Sequence, residues 1–487
     1  MQQRRELTTS LRDAGTAEEF LKIVRSSPID FLDLRFVDLP GRWRHVTLPV
    51  SRLGPELFSQ GVGFDGSSAG FKRVESGDMV LIPDRSSALL EDEGAYLTLS
   101  MVATAADAAS KEPFTLDPRV IACRAVDALR DSGHADESIW SPELEFYVFD
   151  AVDYGTFASG AYYEIDSLEA GWCDPEDDEG SLGHRIRPGG GYHVMPPSDR
   201  NYDLRNEIVA RMESAGIPVK YHHHENGAAG QVEIEIHGEP LVSAADHVML
   251  AKHIVRNTAH EWGLSATFMP KPLPDECGSG LHFHLRLLRD GEPSFYDKTG
   301  YAGLSQQALH FIGGILSHGR ALAALTNAST NSYRRLRPGF EAPTNLFFSA
   351  ANRSAAIRIP EYGTTPETKT IEYRPSDASC NPYLAMAAIL AAGLDGLQRR
   401  TDPGEHGFGP FDTNVHALPA EERDAITPIP TSLPEALAAL RDDAGFLSDR
   451  GIFPDDFARL WIAQKSQEAE TVATRPHPAE FDLSFDC

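Results

Sequence analysis

Cysteine is scarce in this sequence, and long apolar runs are missing from it. The five cysteines, Cys123, Cys173, Cys277, Cys380 and Cys487, are scattered without CxxC spacing and odd in number, which argues against a zinc knuckle or a disulfide framework and suits a reducing compartment. No apolar stretch approaches the roughly 18 to 20 residues of a membrane span; the best candidate, "YLAMAAILAAGL", is shorter and reads as a buried helix. The opening "MQQRRELTTSLRDAG" has basic residues with no apolar segment behind them, so a cytoplasmic protein is expected rather than a secreted one. Basic blocks are missing too. With 44 Lys and Arg against 72 Asp and Glu the net charge is −28, so nucleic acid and anionic membrane are not expected partners. An anionic substrate would need local cations or metals to hold it.

What is present suffices for a sizeable core: 487 residues, 41% of them hydrophobic, enough for two or three domains on length alone. The first hundred residues alternate short strand-like pieces, "FLDLRFVDL", "RHVTLPV", "MVLIPD" and "AYLTLSMV", with turns. Helical patterns begin at "LDPRVIACRAVDALRDSG", where Asp117 is a candidate N-cap, Pro118 takes the first helical position and Gly133 lies just past the end. The expected boundary is near residue 112, with a β-rich part over 1–112 and a larger part over 113–487. Further helical periodicity appears in "DLRNEIVARMESAG", "AADHVMLAKHIVRNTAHEWG", "LSQQALHFIGGILSHGRALAALT", "NPYLAMAAILAAGLDGLQRR", "SLPEALAALRDDAGFL" and "DDFARLWIAQKSQEAETV". Residues 402–431 read as a long connection, and the class is α+β.

One segment, "SPELEFYVFD", puts Glu143 and Glu145 on one face, because side chains alternate across a strand. A solvated sheet face would explain a single such strand. The pattern recurs, however. In "QVEIEIHG" Glu233 and Glu235 share a face, in "LHFHLRLL" His282, His284 and Arg286 do, and in "TIEYRP" Glu372 and Arg374 do. Glu225 closes "YHHHE", whose histidine run taken alone reads as a surface or core cluster. If these strands belong to one curved sheet, their polar faces converge on a single cavity. Carboxylates gathered there repel and would be driven to protonate. Divalent cations remove the problem, and oxygen ligands with one or two imidazoles suit Mg²⁺ or Mn²⁺ better than zinc.

These stretches, with "FDGSSAGF", "ESGDMVLIPD", "HHHENGAAGQVE", "ATFMPKP", "GSGLHFHL", "TNSYRRLRPGFEAP" and "NRSAAIRIP", resemble class I glutamine synthetase over essentially the full length. The resemblance implies an N-terminal β-grasp domain over 1–112 and a catalytic domain over 113–487, whose curved antiparallel sheet forms a half-barrel funnel backed by helices. It implies ATP-dependent ligation of ammonia to the γ-carboxylate of L-glutamate through γ-glutamyl phosphate, giving glutamine, ADP and phosphate. It also implies a homo-oligomer, typically a dodecamer of two hexameric rings, with each site completed by a neighbour's N-terminal domain. By position, Glu145, Glu225 and Glu233 would hold one metal and Glu143, His282 and Glu372 a second. His284 and Arg358 would lie against the ATP phosphates, as part of a set that includes Arg286, and Arg353 would reach both phosphate and substrate. Gly278, Arg335 and Arg374 would hold glutamate. Asp65 of the adjacent subunit, with Tyr192 and Glu225, would form the ammonium pocket, and Glu341 would sit on a mobile flap.

The chain departs from that family at several places. Cys277 stands where Asn is usual, Lys220 where Glu is common, Arg286 where Ser is common, and Glu367 and Thr370 where basic residues are frequent. His193 replaces an aromatic ring beside the ammonium pocket, and His416 replaces the tyrosine that some members have adenylylated, so that regulation is not expected. Two other readings stay open. One is a γ-glutamyl ligase for an organic amine such as ethanolamine, methylamine, a polyamine or a precursor in specialised metabolism. The other is an inactive regulatory paralogue, against which the retention of every proposed metal ligand speaks.

Overall fold

The strand-like segments of the first hundred residues pair into one sheet in the computed structural model, which describes residues 2–487 except 92–93, 173–182, 340–341, 414, 416–417, 420, 422 and 424. Its strands are β1 (Phe31–Val37), β2 (Trp43–Pro49), β3 (Val62–Asp65), β4 (Asp78–Pro83), β5 (Leu89–Glu91) and β6 (Thr98–Asp107). The order is β2-β1-β6-β4-β3 with β5 on β6, and β1 and β6 run parallel. Leu32, Leu34, Leu99 and Met101 close over Phe20, Leu21 and Val24 of the helix Ala17–Ser26. Reading this region as strands and turns missed that helix and Gln2–Arg12 before it. Phe20, Leu21 and Val24 recur at helical spacing, and Thr16 caps the N-terminus by accepting from the Glu19 N–H at 3.1 Å.

The helix Pro118–Asp131 starts as its sequence dictates. Asp117 accepts from the N–H groups of Arg119 and Val120, Pro118 holds the first position, and Gly133 takes a φ of 69° just past the end. The Asp117 carboxylate also accepts from the Ala105 N–H at 2.7 Å, tying the helix start to β6.

The second sheet has ten strands among the described residues. It is built on β7 (Glu137–Phe149), followed by the separate hairpin β8 (Ala151–Phe157) and β9 (Gly160–Asp166), then β10 (Val219–His224) and β11 (Gln231–Ile236). Short strands β12 (Glu239–Pro240) and β13 (Ser265–Thr267) pair with β7, and β14 (Leu281–Arg289) carries β15 (Glu292–Pro293). Strands β16 (Phe348–Ala350), β17 (Ile357–Ile359) and β18 (Ile371–Tyr373) complete it in the order β10-β11-β7-β14-β18-β17-β16. Pairing is antiparallel except between β16 and β17. One face is apolar: Leu144, Phe146, Ile234, Phe283, Leu285 and Tyr373 are buried against the helices Leu241–Glu261 and Pro382–Arg399. The helices Pro382–Arg399 and Gln306–Ser317 approach through glycine. A Cβ on Gly314 would lie 2.2 Å from the Ala392 carbonyl oxygen.

The periodic stretch 304–326 forms two helices, Gln306–Ser317 and Gly319–Thr326, broken at His318. The His318 ring bonds Asp395 and Asp443 at 3.0 and 2.7 Å, which fixes the break. Among the described residues no helix is long and apolar enough to cross a membrane.

Candidate active site

The polar face of the ten-stranded sheet gathers the paired acidic residues by register. Glu233 lies opposite Glu145 and Glu235 opposite Glu143 across β11 and β7; His282 faces Glu143 across β14, and His284 faces Glu372 across β18. Like charges placed directly across a strand pair repel. The five carboxylates and one imidazole that the resemblance assigns to metals, Glu143, Glu145, Glu225, Glu233, Glu372 and His282, all line one cavity of about 750 Å³. Arg335, Arg353, Arg358, Arg374, Gly278 and Tyr192 line it too.

The cavity has two electrostatically different ends. At one, Glu143 accepts from His282 Nδ1 at 3.0 Å and His284 Nε2 at 2.8 Å, and Glu372 accepts from Arg358 and Arg374. Burial would raise both carboxyls, but His284 and, for Glu372, the two arginines outweigh it and hold them ionised. His284 in turn is pushed up to about 9: burial opposes the shift, and the charges of Glu143 and Glu372 prevail. Arg335 donates to His282 Nε2 at 3.2 Å, so the His282 proton sits on Nδ1, where it meets Glu143.

At the other end no arginine pairs with Glu225 or Glu233 among the described residues, and only His223, 3.5 Å from Glu225 and 3.3 Å from Glu233, faces them. Burial, then the charges of Glu145 and Glu233, drives the Glu225 carboxyl far above the usual range; Glu233 is raised by burial and by Glu143 and Glu145. Glu225 Oε2 is buried without a hydrogen-bond partner among the described residues, with His223 Nδ1 at 3.5 Å. Two groups offer ligand atoms within 4.8 Å of one another: Glu143, His284 and Glu372, and His223, Glu225 and Glu233. Two carboxylates with a single imidazole in each group, and the orphaned Glu225 Oε2 in the second, fit a hard divalent cation.

His223 was not singled out by sequence. The signal was there, since His223 and Glu225 are two apart, as Glu143 and Glu145 are. Tyr362, lining the cavity with the Arg358 guanidinium 5.8 Å from its ring centre, carried no such signal. Gly278 must lack a side chain, because a Cβ would meet Arg335 Cγ at 2.6 Å. Arg286 lies on β14 outside the cavity lining, its Nε buried and unpartnered among the described residues. Asp65 also lies outside the lining, at the exposed end of β3, where the hydroxyls of Ser68 and Ser67 and the Ser67 N–H hold its carboxyl down to about 2. Glu341, His416 and Cys173 fall outside the described residues.

Comparison with known proteins agrees with this geometry. The model of the glutamine synthetase β-grasp domain matches residues 28–105, and that of the glutamine synthetase catalytic domain matches residues 115–484. The chain belongs to the glutamine synthetase family. Glutamine synthetase of Frankia alni is 44% identical over 473 residues, covering 96% of this chain and 99% of that protein. That of Mycolicibacterium smegmatis is 42% identical over 478 residues, covering 97% and 99%. The cryo-electron microscopy structure of Plasmodium falciparum glutamine synthetase superposes with a TM-score of 0.88 at 25% identity, covering 96% of this chain and 99% of that one. The first sheet is therefore the β-grasp part and the second the curved half-barrel of a glutamine synthetase catalytic domain. The enzyme is a glutamine synthetase-type ligase, dependent on ATP and on metal.

Proposed function

We propose that residues 1–112 and 113–487 are the two domains of an enzyme that joins ammonium to the γ-carboxylate of glutamate through γ-glutamyl phosphate, releasing ADP and phosphate. The supporting observation is one cavity with an uncompensated end, Glu225 and Glu233, beside an end where His284, Arg358 and Arg374 neutralise Glu143 and Glu372. A carboxylate is a poor acylating agent, and phosphorylation gives it a leaving group. Glu145, Glu225 and Glu233 would hold one divalent cation and Glu143, His282 and Glu372 another. With such an oxygen-rich set they would be Mg²⁺ or Mn²⁺, supplying charge neutralisation to a phosphoryl group passing between two anions.

The chain's own residues do the rest. Arg353 and Arg358 orient the phosphates, with His284 and Arg286 of β14. Arg335 and Arg374 take the carboxylates of glutamate beside Gly278. Asp65 of an adjacent subunit, with Tyr192 and Glu225, binds ammonium and removes the proton that frees its lone pair. The Asp65 carboxyl, held down to about 2, stays ionised for the binding of the cation, and the ammonium charge it faces is what the proton's departure removes. Glu341 would help to exclude water from the reactive intermediate. Assembly into rings, a dodecamer of two hexamers, is supported by surfaces left open on one chain: the hairpin β8–β9 forms a sheet of its own, and the helix Pro478–Ser484 carries Phe481 and Leu483 in the open. The setting is the cytoplasm.

A second reading, an organic amine in place of ammonium, is favoured by the wall at Tyr192. His193 stacks on Tyr192 at 4.1 Å and leans on His223 at 4.3 Å, while Asn226 Nδ2 donates to Cys277 Sγ at 3.2 Å. Metal-dependent phosphate release from ATP and glutamate, with products identified by mass spectrometry across ammonium, methylamine, ethanolamine and polyamines, separates the two. Glutamine as the product of highest specificity supports ammonium; one strongly preferred amine overturns it, and no turnover with any acceptor makes the chain an inactive paralogue.

A further inference from the structure

A second cavity, of about 930 Å³, lies between the β1–β2 turn, residues 67–70 and the helices Leu241–Glu261 and Phe457–Ala473. It shares no lining residue with the active-site cavity. Five cationic side chains, Arg42, Arg44, Lys252, Arg256 and Lys465, line it against two carboxylates, Asp38 and Glu468, in a chain of net charge −28. Both carboxylates are already engaged: Arg44 Nε donates to Asp38 at 3.0 Å and Lys465 Nζ to Glu468 at 2.8 Å.

Three cations are left over. Arg42 and Arg256 pair with no carboxylate among the described residues, and the Arg256 guanidinium lies 5.3 Å from the centre of the Phe268 ring. Lys252 is only 5% exposed, yet among the described residues its Nζ donates to a single acceptor, the Ala378 carbonyl oxygen at 2.6 Å, and otherwise faces the Phe268 ring, 5.6 Å from its centre. An ammonium has three protons to place, and a buried cation without a counter-ion is costly. Burial lowers the Lys252 pKa to about 8, which leaves it charged at neutral pH.

We infer that this cavity binds a small polyvalent oxyanion, a phosphate ester or a polycarboxylate, for which Arg42, Lys252 and Arg256 are the counter-charges. In a strongly acidic molecule a local excess of positive charge concentrates such anions. The inference does not depend on which acceptor the enzyme uses.

Calorimetric titration of the full-length protein, free of nucleotide and metal, with inorganic phosphate and separately with citrate tests it. Which of the two binds more tightly distinguishes the phosphate from the polycarboxylate class. Binding should weaken by about tenfold or more in an Arg42→Gln/Arg256→Gln double variant and in Lys252→Met, and survive in Arg353→Gln, which alters only the active site. The double variant replaces exposed side chains, so it tests the site even where Lys252→Met fails to fold. Absence of binding by either probe, or equal binding by parent and double variant, overturns the assignment.

Discussion

Glu225 shows most directly what the acidic cavity is built for. Its Oε2 is buried and orphaned, and its nearest charged neighbours include Glu145 and Glu233. Glu225→Gln keeps the shape and removes one of the repelling charges. The metal-free variant should melt no lower than the parent, while the rise in melting temperature on adding Mn²⁺ is lost. Metal-dependent turnover should fall by more than about 100-fold, since even groups that merely support metal ligands are worth about 10 to 100-fold. Thermal scans with and without Mn²⁺ read both outcomes. Such residues were legible in the sequence because a carboxylate on a buried strand has to recur at i, i+2 to face the same cavity. His223 obeyed the same rule and was hidden by the histidines on either side of it, His222 and His224, in the same run.

Among the elements, helix termini and sheet faces were the readable parts. Asp117, Pro118 and Gly133 mark the ends of one helix by local chemistry alone. Where a long-range contact decides, the pattern fails: the helical periodicity over 304–326 is continuous, yet the helix breaks at His318, where two distant carboxylates, Asp395 and Asp443, claim the ring. That contact makes stability depend on pH. Burial alone would lower the His318 pKa, but the hydrogen bonds to Asp443 and Asp395 outweigh it and raise it. With a folded-state value above the ordinary one of about 6.5, the folded chain holds the proton more tightly. The stabilisation is therefore complete below that ordinary value and fades as pH rises through the folded one. His318→Gln should depress the melting temperature more at pH 6 than at pH 9, and a difference independent of pH would remove the ion pairs from the explanation.

At the scale of the molecule, fold class and family lay open in the sequence because many short motifs keep their order along almost the whole chain. What no motif could convey is how distant segments meet. The cationic cavity is assembled from the β1–β2 turn, a mid-chain helix and a helix near the end, and none of these is basic enough to draw notice by itself. Exposed apolar surface is likewise a property of the folded chain: Leu483 and Phe485, 85% and 79% exposed, have nothing of their own chain to cover them among the described residues. A polypeptide of 53.3 kDa with such surfaces should sediment as an assembly several times that mass. Replacing Leu483 and Phe485 with Asp should shift it toward smaller species without lowering the far-ultraviolet helical signal; sedimentation velocity decides.

The order of the strands along the chain sets an order of events during synthesis. Glu143, Glu145, Glu225 and Glu233 leave the ribosome before His284, and Arg358 and Arg374 follow later still. A nascent chain thus carries Glu143 for a long interval without the His284 that will hold it ionised, and β7 waits for β14 to pair beside it. The lining of the cavity is complete only once Arg374, the last of its residues along the chain, has been added.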